Sequence, residues 1–195
     1  MKKIPTLFKR EFRNHKICSI SSEITQGMEW VLKGEGIATE KIDGSCCAII
    51  DGKFYKRYDC KKGKNPPENS IACCDPDPIT GHWPHWVPVD YNNSNDKWFV
   101  IALNNTPDLK DGTYEAIGPH FQGNPYGLCD DILEPHGVKV IDVARTFEGI
   151  RNYLSNNLIE GIVFWKDGEP QCKIKRTDFG FEWPLNKSKK IEDVL

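Results

Sequence analysis

Short runs with alternating or continuous apolar character fill most of this chain, and turn-forming residues separate them. Ile37 to Lys41, Ser45 to Ile50 and Lys53 to Tyr58 each predict a strand. Asp43-Gly44 predicts a turn after the first, and Asp51-Gly52 is a two-residue hairpin signal between the other two. Trp98 to Leu103, Gly112 to Ile117, Val138 to Val143, Gly161 to Trp165 and Gln171 to Lys175 predict five more strands, the last two joined at Asp167-Gly168. Helical periodicity is scarce. Glu23 to Lys33 predicts a short helix ended by Gly34 and Gly36, and Thr146 is placed to cap a helix whose apolar side is Phe147, Ile150 and Leu154. Residues 61–97 read as one long loop, with Trp83, Trp86 and Val87 available to fasten it, and residues 119–137 read as another. No internal repeat is present. The pattern predicts an α+β fold built mainly from antiparallel hairpins.

Length and composition refine this picture. A chain of 195 residues suits one domain: a helical N-terminal region over 1–35, a core over 36–184 and a basic tail over 185–195. No apolar run reaches membrane-spanning length and no signal-peptide core opens the chain, so the expected setting is intracellular, most simply cytoplasmic. The expected state is a monomer. Eight cysteines include the adjacent pairs Cys46-Cys47 and Cys73-Cys74, but no C-x-x-C. A zinc site from Cys73, Cys74, His82 and His85 has irregular spacing, and buried thiols with loop histidines are the preferred reading.

The net charge of −2 does not mark the whole chain as a nucleic-acid binder. Positive charge is local. Lys53, Lys56, Arg57, Lys61, Lys62 and Lys64 form one cluster, and Lys187, Lys189 and Lys190 another. Each is either a solvated face or a phosphate-contacting surface.

The candidate chemistry centres on Glu40-Lys41-Ile42-Asp43-Gly44. A lysine attacks phosphorus only as the free amine. Its ordinary pKa of about 10.4 means that it needs desolvation or nearby positive charge to do so at neutral pH. Alone, Lys-x-Asp-Gly is an ordinary turn with a lysine beside it. Its weight changes with four downstream blocks, in order: Lys56-Arg57, then Gly112-Thr113-Tyr114-Glu115-Ala116-Ile117-Gly118, then Glu160-Gly161-Ile162-Val163-Phe164, then Lys173-Ile174-Lys175. Lys173 and Lys175 are two apart on a predicted strand, so both ammonium groups leave one face. Like charges so placed call for an anion, and a polyphosphate is the natural one. Glu160 offers a carboxylate for a hard cation, and Glu115 an acceptor for a ribose hydroxyl.

These five ordered blocks resemble the covalent nucleotidyltransferases: ATP-dependent DNA and RNA ligases and mRNA capping guanylyltransferases. The resemblance narrows to the vertebrate-type 5′-3′ RNA ligase family through Thr39 to Cys47, Gly81 to Val89, Gly123 to Gly127, Pro135-His136-Gly137 and Gly180 to Pro184. It implies a ligase adenylation domain of ATP-grasp-like type, with antiparallel sheets, few helices and no OB-fold domain. It also implies that ATP and Mg²⁺, or Mn²⁺ in its place, are used to join 5′-phosphate and 3′-hydroxyl RNA ends. Lys41 would carry AMP. Arg57 would contact the nucleotide near its ribose or phosphate, Glu115 the ribose, and Glu160 the metal. Lys173 and Lys175 would hold the α-phosphate and help expel pyrophosphate. Glu40, just before the nucleophile, would lie near the adenine, and Val163 is the candidate to pack against it. The shared blocks leave a capping guanylyltransferase, a DNA ligase and an inactive nucleotide- or RNA-binding module as alternatives.

Overall fold

Eleven strands and three short α-helices follow one another along residues 2–13 and 16–184, which the structure, a computed structural model, describes. The basic cluster Lys187, Lys189 and Lys190 lies outside them. In chain order the elements are β1 (Phe8–Arg13), β2 (Lys16–Ile24), α1 (Glu29–Leu32), β3 (Ile37–Lys41), β4 (Ser45–Ile50), β5 (Lys53–Cys60), β6 (Ile71–Ala72), β7 (Trp83–Pro88), α2 (Lys97–Asn104), β8 (Gly112–Ile117), β9 (Ile132–Pro135), α3 (Phe147–Asn156), β10 (Gly161–Lys166) and β11 (Glu169–Lys175). The mostly antiparallel α+β character matches the sequence reading. Among the described residues, no helix is long and apolar enough to cross a membrane.

The chain divides into two compact units. The first comprises residues 1–3 and Asp43–His136. Its six strands form one sheet in the order β6-β7-β5-β4-β8-β9. Cys47, Ile49, Phe54, Tyr114, Ala116 and Leu133 leave the strands on one side and pack with Ala102 and Phe121. Burying such apolar surface is the main favourable term for the unit. The second unit comprises Ile4–Ile42 and Gly137–Leu195. It holds the β1-β2 ribbon and a three-stranded sheet, β11-β10-β3. Ala38, Ile162, Phe164, Cys172 and Ile174 project from one face of that sheet into a core completed by Leu7, Phe8, Val31, Ile150 and Leu154.

Several expectations need correction. Trp98 to Leu103 is not a strand but lies in α2. The run Trp98-Phe99-Val100-Ile101-Ala102-Leu103 is apolar throughout, which suits either element by periodicity. The lead-in is compatible with a helix: Asn93 accepts the Asn95 N–H and starts a 3-10 turn, Ser94–Asp96, that continues into α2. Phe8–Arg13 and Lys16–Ile24 form a ribbon, so among the described residues the helix of the N-terminal region is confined to α1. The segment read as a loop over 61–97 contributes β6 and β7, and 119–137 contributes β9. Val138 to Val143 makes no regular strand. It runs beside β3 through Glu40 N–H to Lys139 O and Ile141 N–H to Ala38 O, while Val138 and Val140 stay exposed.

The tryptophans do fasten their segments. Trp83 donates its indole N–H to Cys74 O at 2.6 Å, Trp86 is buried, and Trp98 stacks on His120.

Candidate active site

The second unit gathers four of the sequence-predicted residues through strand register. Lys41 ends β3 and lies opposite Gly161 on β10, which in turn lies opposite Lys175 on β11. Residues opposite one another share a face, so two lysines flank a residue with no side chain. The rung above holds Thr39, Val163 and Lys173 on the same face. The other face, with Ala38, Ile162 and Ile174, is the core. Gly161 has a strict reason to be glycine: a Cβ there would sit 2.2 Å from Ile174 O.

Glu160 precedes that rung and is only 3% exposed. It accepts from Lys41 Nζ on one carboxylate oxygen and from Lys175 Nζ on the other, each at 2.5 Å. Its own carbonyl accepts the Arg176 N–H at 2.9 Å, which anchors the backbone around it. Lys173 makes no ion pair among the described residues. Burial, then the charges of Lys41 and Lys175, push its pKa down to about 8. Glu160 opposes that shift and Arg10 adds to it. The result is a face where positive charge exceeds the local carboxylate.

Glu40 lies elsewhere. Strand alternation places it on the face opposite Lys41, across from Ile162 and on the Ala38 side. There its charge helps raise the Tyr153 pKa, after burial. The structure therefore joins Lys41, Glu160, Lys173, Lys175 and Val163 on or beside one face and leaves Glu40 off it.

The first unit holds Arg57 and Glu115 in a second group. Cys46 on β4 opposes Glu115 on β8, and Arg57 lies on β5 one step beyond the Cys47–Lys56 pair. All three project from the same side of the sheet. Glu115 accepts from His136 Nε2 at 2.8 Å, and His136 Nδ1 is 3.1 Å from Thr113 Oγ1. Burial, then the Glu115 carboxylate, push the Cys46 thiol up to about 12, while Arg57 pulls the other way. Arg57 also donates to Asp59 at 3.1 Å. His136 falls in the 119–137 segment that the sequence pattern reads as loop. Its tie to Glu115 depends on β9 lying beside β8, where Tyr114 pairs with Pro135, and no local pattern encodes that pairing.

Asp43 and Gly44 also belong to the first unit. Asp43 donates its backbone N–H to Tyr126 Oη at 2.6 Å. Gly44 cannot carry a side chain, because a Cβ would meet Ala116 O at 2.2 Å. The Asp-Gly step is thus a close backbone approach, and β4 pairs with β5 and β8.

Two sequence readings dissolve. Lys56 is held in an ion pair with the buried Asp96, so it is no surface phosphate contact. Cys73, Cys74, His82 and His85 form no metal-competent group. The one such group among the described residues is Cys46, Glu115 and His136, whose donor atoms lie within 4.8 Å of one another.

No family model matches the chain. Among curated proteins it is 32% identical to RNA ligase 1 of Danio rerio, over 76% of this chain and 68% of that protein. It is 27% identical to RNA ligase 1 of Rattus norvegicus, over 76% of this chain and 69% of that one.

Proposed function

Because the chain belongs to the RNA ligase 1 family, we propose that it joins 5′-phosphate and 3′-hydroxyl RNA ends using ATP, through AMP held covalently on Lys41. The observation that carries this reading is the shared carboxylate. Glu160 holds Lys41 and Lys175 at 2.5 Å each over Gly161, and Lys173 stands beside them with no counter-ion of its own among the described residues. Such a face is suited to a polyphosphate, whose charge would compensate the surplus.

In the proposed first step Lys41 Nζ, having shed a proton, attacks the α-phosphorus of ATP. The N–P bond forms as the bond to pyrophosphate breaks. In the second step a 5′-phosphate oxygen of RNA takes the AMP from Lys41. In the third, a 3′-hydroxyl attacks the adenylated end, a phosphodiester forms and AMP leaves. Phosphoryl transfer of this kind depends on positioning and charge neutralisation, which is what fixed ammonium groups supply. Lys175 and Lys173 hold the phosphates against the nucleophile. Val163, on the same face, packs against the nucleotide. The resemblance implies nucleotide and ribose contacts for Arg57 and Glu115, and within the first unit His136 holds the Glu115 carboxylate through their 2.8 Å hydrogen bond.

Mg²⁺ fits the donor chemistry of the second unit. It is commonly bound by one or two carboxylates plus substrate phosphates, and Glu160 is a single buried carboxylate beside phosphate-directed lysines. Glu160 would hold it, and the ion would neutralise charge developing on the phosphates.

The decisive measurement is intact mass after incubation with ATP and Mg²⁺. The expected result is one added AMP that is lost on addition of 5′-phosphorylated RNA. Lys41→Ala and Lys41→Arg should gain no mass. An AMP adduct on either variant would refute the assignment of Lys41, and labelling by GTP instead of ATP would refute the choice of nucleotide.

A further inference from the structure

The β1-β2 ribbon brings one more cation to the second unit. Arg10 on β1 sets Nε at 2.8 Å and one terminal nitrogen at 2.7 Å from Asp178 Oδ1. Asp178 lies in the 3-10 turn Arg176–Phe179 that directly follows β11, and its other carboxylate oxygen accepts the Lys175 N–H at 2.9 Å. The guanidinium is therefore fixed at the end of the strand that carries Lys173 and Lys175. A cavity of about 480 Å³ opens there, lined by Arg10, Lys173, Lys175, Thr177 and Asp178.

The charge in and beside this cavity does not balance. Among the described residues, Arg10, Lys41, Lys173 and Lys175 are four cations, and Glu160 and Asp178 are the two carboxylates that pair with three of them. Two positive charges remain in surplus. Crowding cations in a partly desolvated space is unfavourable unless an anion enters. Burial first, then the charges of Lys41 and Lys175, depress Lys173, and Arg10 adds a smaller push in the same direction. A terminal phosphate carries between one and two negative charges near neutral pH and suits the surplus. Arginine is the side chain best shaped for such a group, since its planar fork donates in parallel to two phosphate oxygens. The contact with Asp178 uses Nε and one terminal nitrogen, and fixes the plane of the fork for the donors that remain.

We propose that Arg10, together with Lys173 and Lys175, forms a subsite for a terminal phosphate group. Its ligand is either pyrophosphate released from ATP or the 5′-phosphate of an RNA end. The choice of these two ligands rests on the function proposed above; the existence of an anion subsite does not. Arg10 lies well before the segment that carries the ligase-like blocks, so none of those blocks points to it.

The test is binding, in a Lys41→Ala chain that cannot form the adduct. Calorimetric titration would compare pyrophosphate, a short 5′-phosphorylated RNA and the same RNA with a 5′-hydroxyl. The variant is Arg10→Gln with Asp178→Asn, which removes both members of the pair and leaves no buried carboxylate unpartnered. The control is Asp178→Asn alone. The expected result is that the double variant binds pyrophosphate, the 5′-phosphorylated RNA or both about tenfold or more weakly. Binding of the 5′-hydroxyl RNA should change little, and Asp178→Asn alone, which keeps the Arg10 charge, should lose clearly less than the double variant. Loss confined to pyrophosphate identifies the leaving-group site, loss confined to the 5′-phosphorylated RNA identifies the acceptor site, and loss of both identifies a subsite used in turn. Unchanged binding of both phosphate ligands overturns the proposal. So does an equal loss with the 5′-hydroxyl RNA, or an equal loss in the control. Because the readout needs no adenylation, failure of Lys41 to take AMP in the parent chain would leave this result standing.

Discussion

Replacing Lys173 by methionine separates what this residue does for the fold from what it does for chemistry. Its backbone is tied down independently of the side chain, through Lys173 N–H to Pro5 O and Leu7 N–H to Lys173 O. Methionine keeps the apolar stem and removes the charge. In the folded chain burial and the neighbouring cations lower the pKa from 10.5 to about 8. At about 1.4 kcal/mol per pKa unit, the charged form then costs roughly 3 kcal/mol at neutral pH. Lys173→Met should therefore be more stable than the parent at pH 7 by about 2–3 kcal/mol. With a urea dependence of about 2 kcal/mol per molar, the midpoint should rise by about 1 M. The sign of the pH dependence comes from proton counts. Between pH 8 and 10.5 the folded parent binds fewer protons than the unfolded chain, so its stability rises with pH in that window. The destabilisation is complete below about pH 8 and is relieved toward pH 10.5. The advantage of the variant should accordingly shrink at pH 10, while its sealing activity is lost at every pH. No gain at pH 7, or the same gain at pH 7 and pH 10, would refute the electrostatic account of this site.

Other buried groups give further expected outcomes. Glu160→Gln removes the charge that Lys41 and Lys175 share, and AMP adduct formation should slow by about 100-fold or more; an unchanged labelling rate would show that the carboxylate has no part in the first step. Lys56→Met strands the Asp96 carboxylate, which is 2% exposed as a side chain, and should cost about 3–5 kcal/mol in thermal unfolding. Adding Asp96→Asn should recover much of that loss, and a single variant as stable as the parent would contradict the pairing. In the native protein, iodoacetamide at pH 8 should modify the exposed Cys129 well before Cys46 or Cys172, whose thiols burial raises to about 12. Peptide mapping that found Cys46 or Cys172 labelled first would count against their burial.

Local pattern determined a good deal of this protein. The alternation of Gln171 to Lys175 places Lys173 and Lys175 on one face, and β11 keeps that parity because side-chain direction in a strand has a period of two. Asp167-Gly168 marked a hairpin, and both residues take the positive φ that such a turn demands. Thr146 accepts the Gly149 N–H and starts the helix that buries Ile150 and Leu154. These features depend on residues a few positions apart, so the sequence carries them directly.

What only the tertiary structure decided depends on pairings across long stretches of chain. Apolar residues in Trp98 to Leu103 suit a strand or a helix equally, and packing against the first unit's core selected the helix. Lys56 and Lys175 are both lysines on strands, yet the strand order and packing around them give one to Asp96 and the other to Glu160. Lys41 meets Glu160 because β3 pairs with β10, a partner about 120 residues away, so that Gly161 leaves room for two ammonium groups to reach one carboxylate. The sequence by itself named the residues and the parity of their faces. Register between distant strands decided which charges meet, because strand pairing depends on burial of the whole sheet and leaves no local periodicity to read.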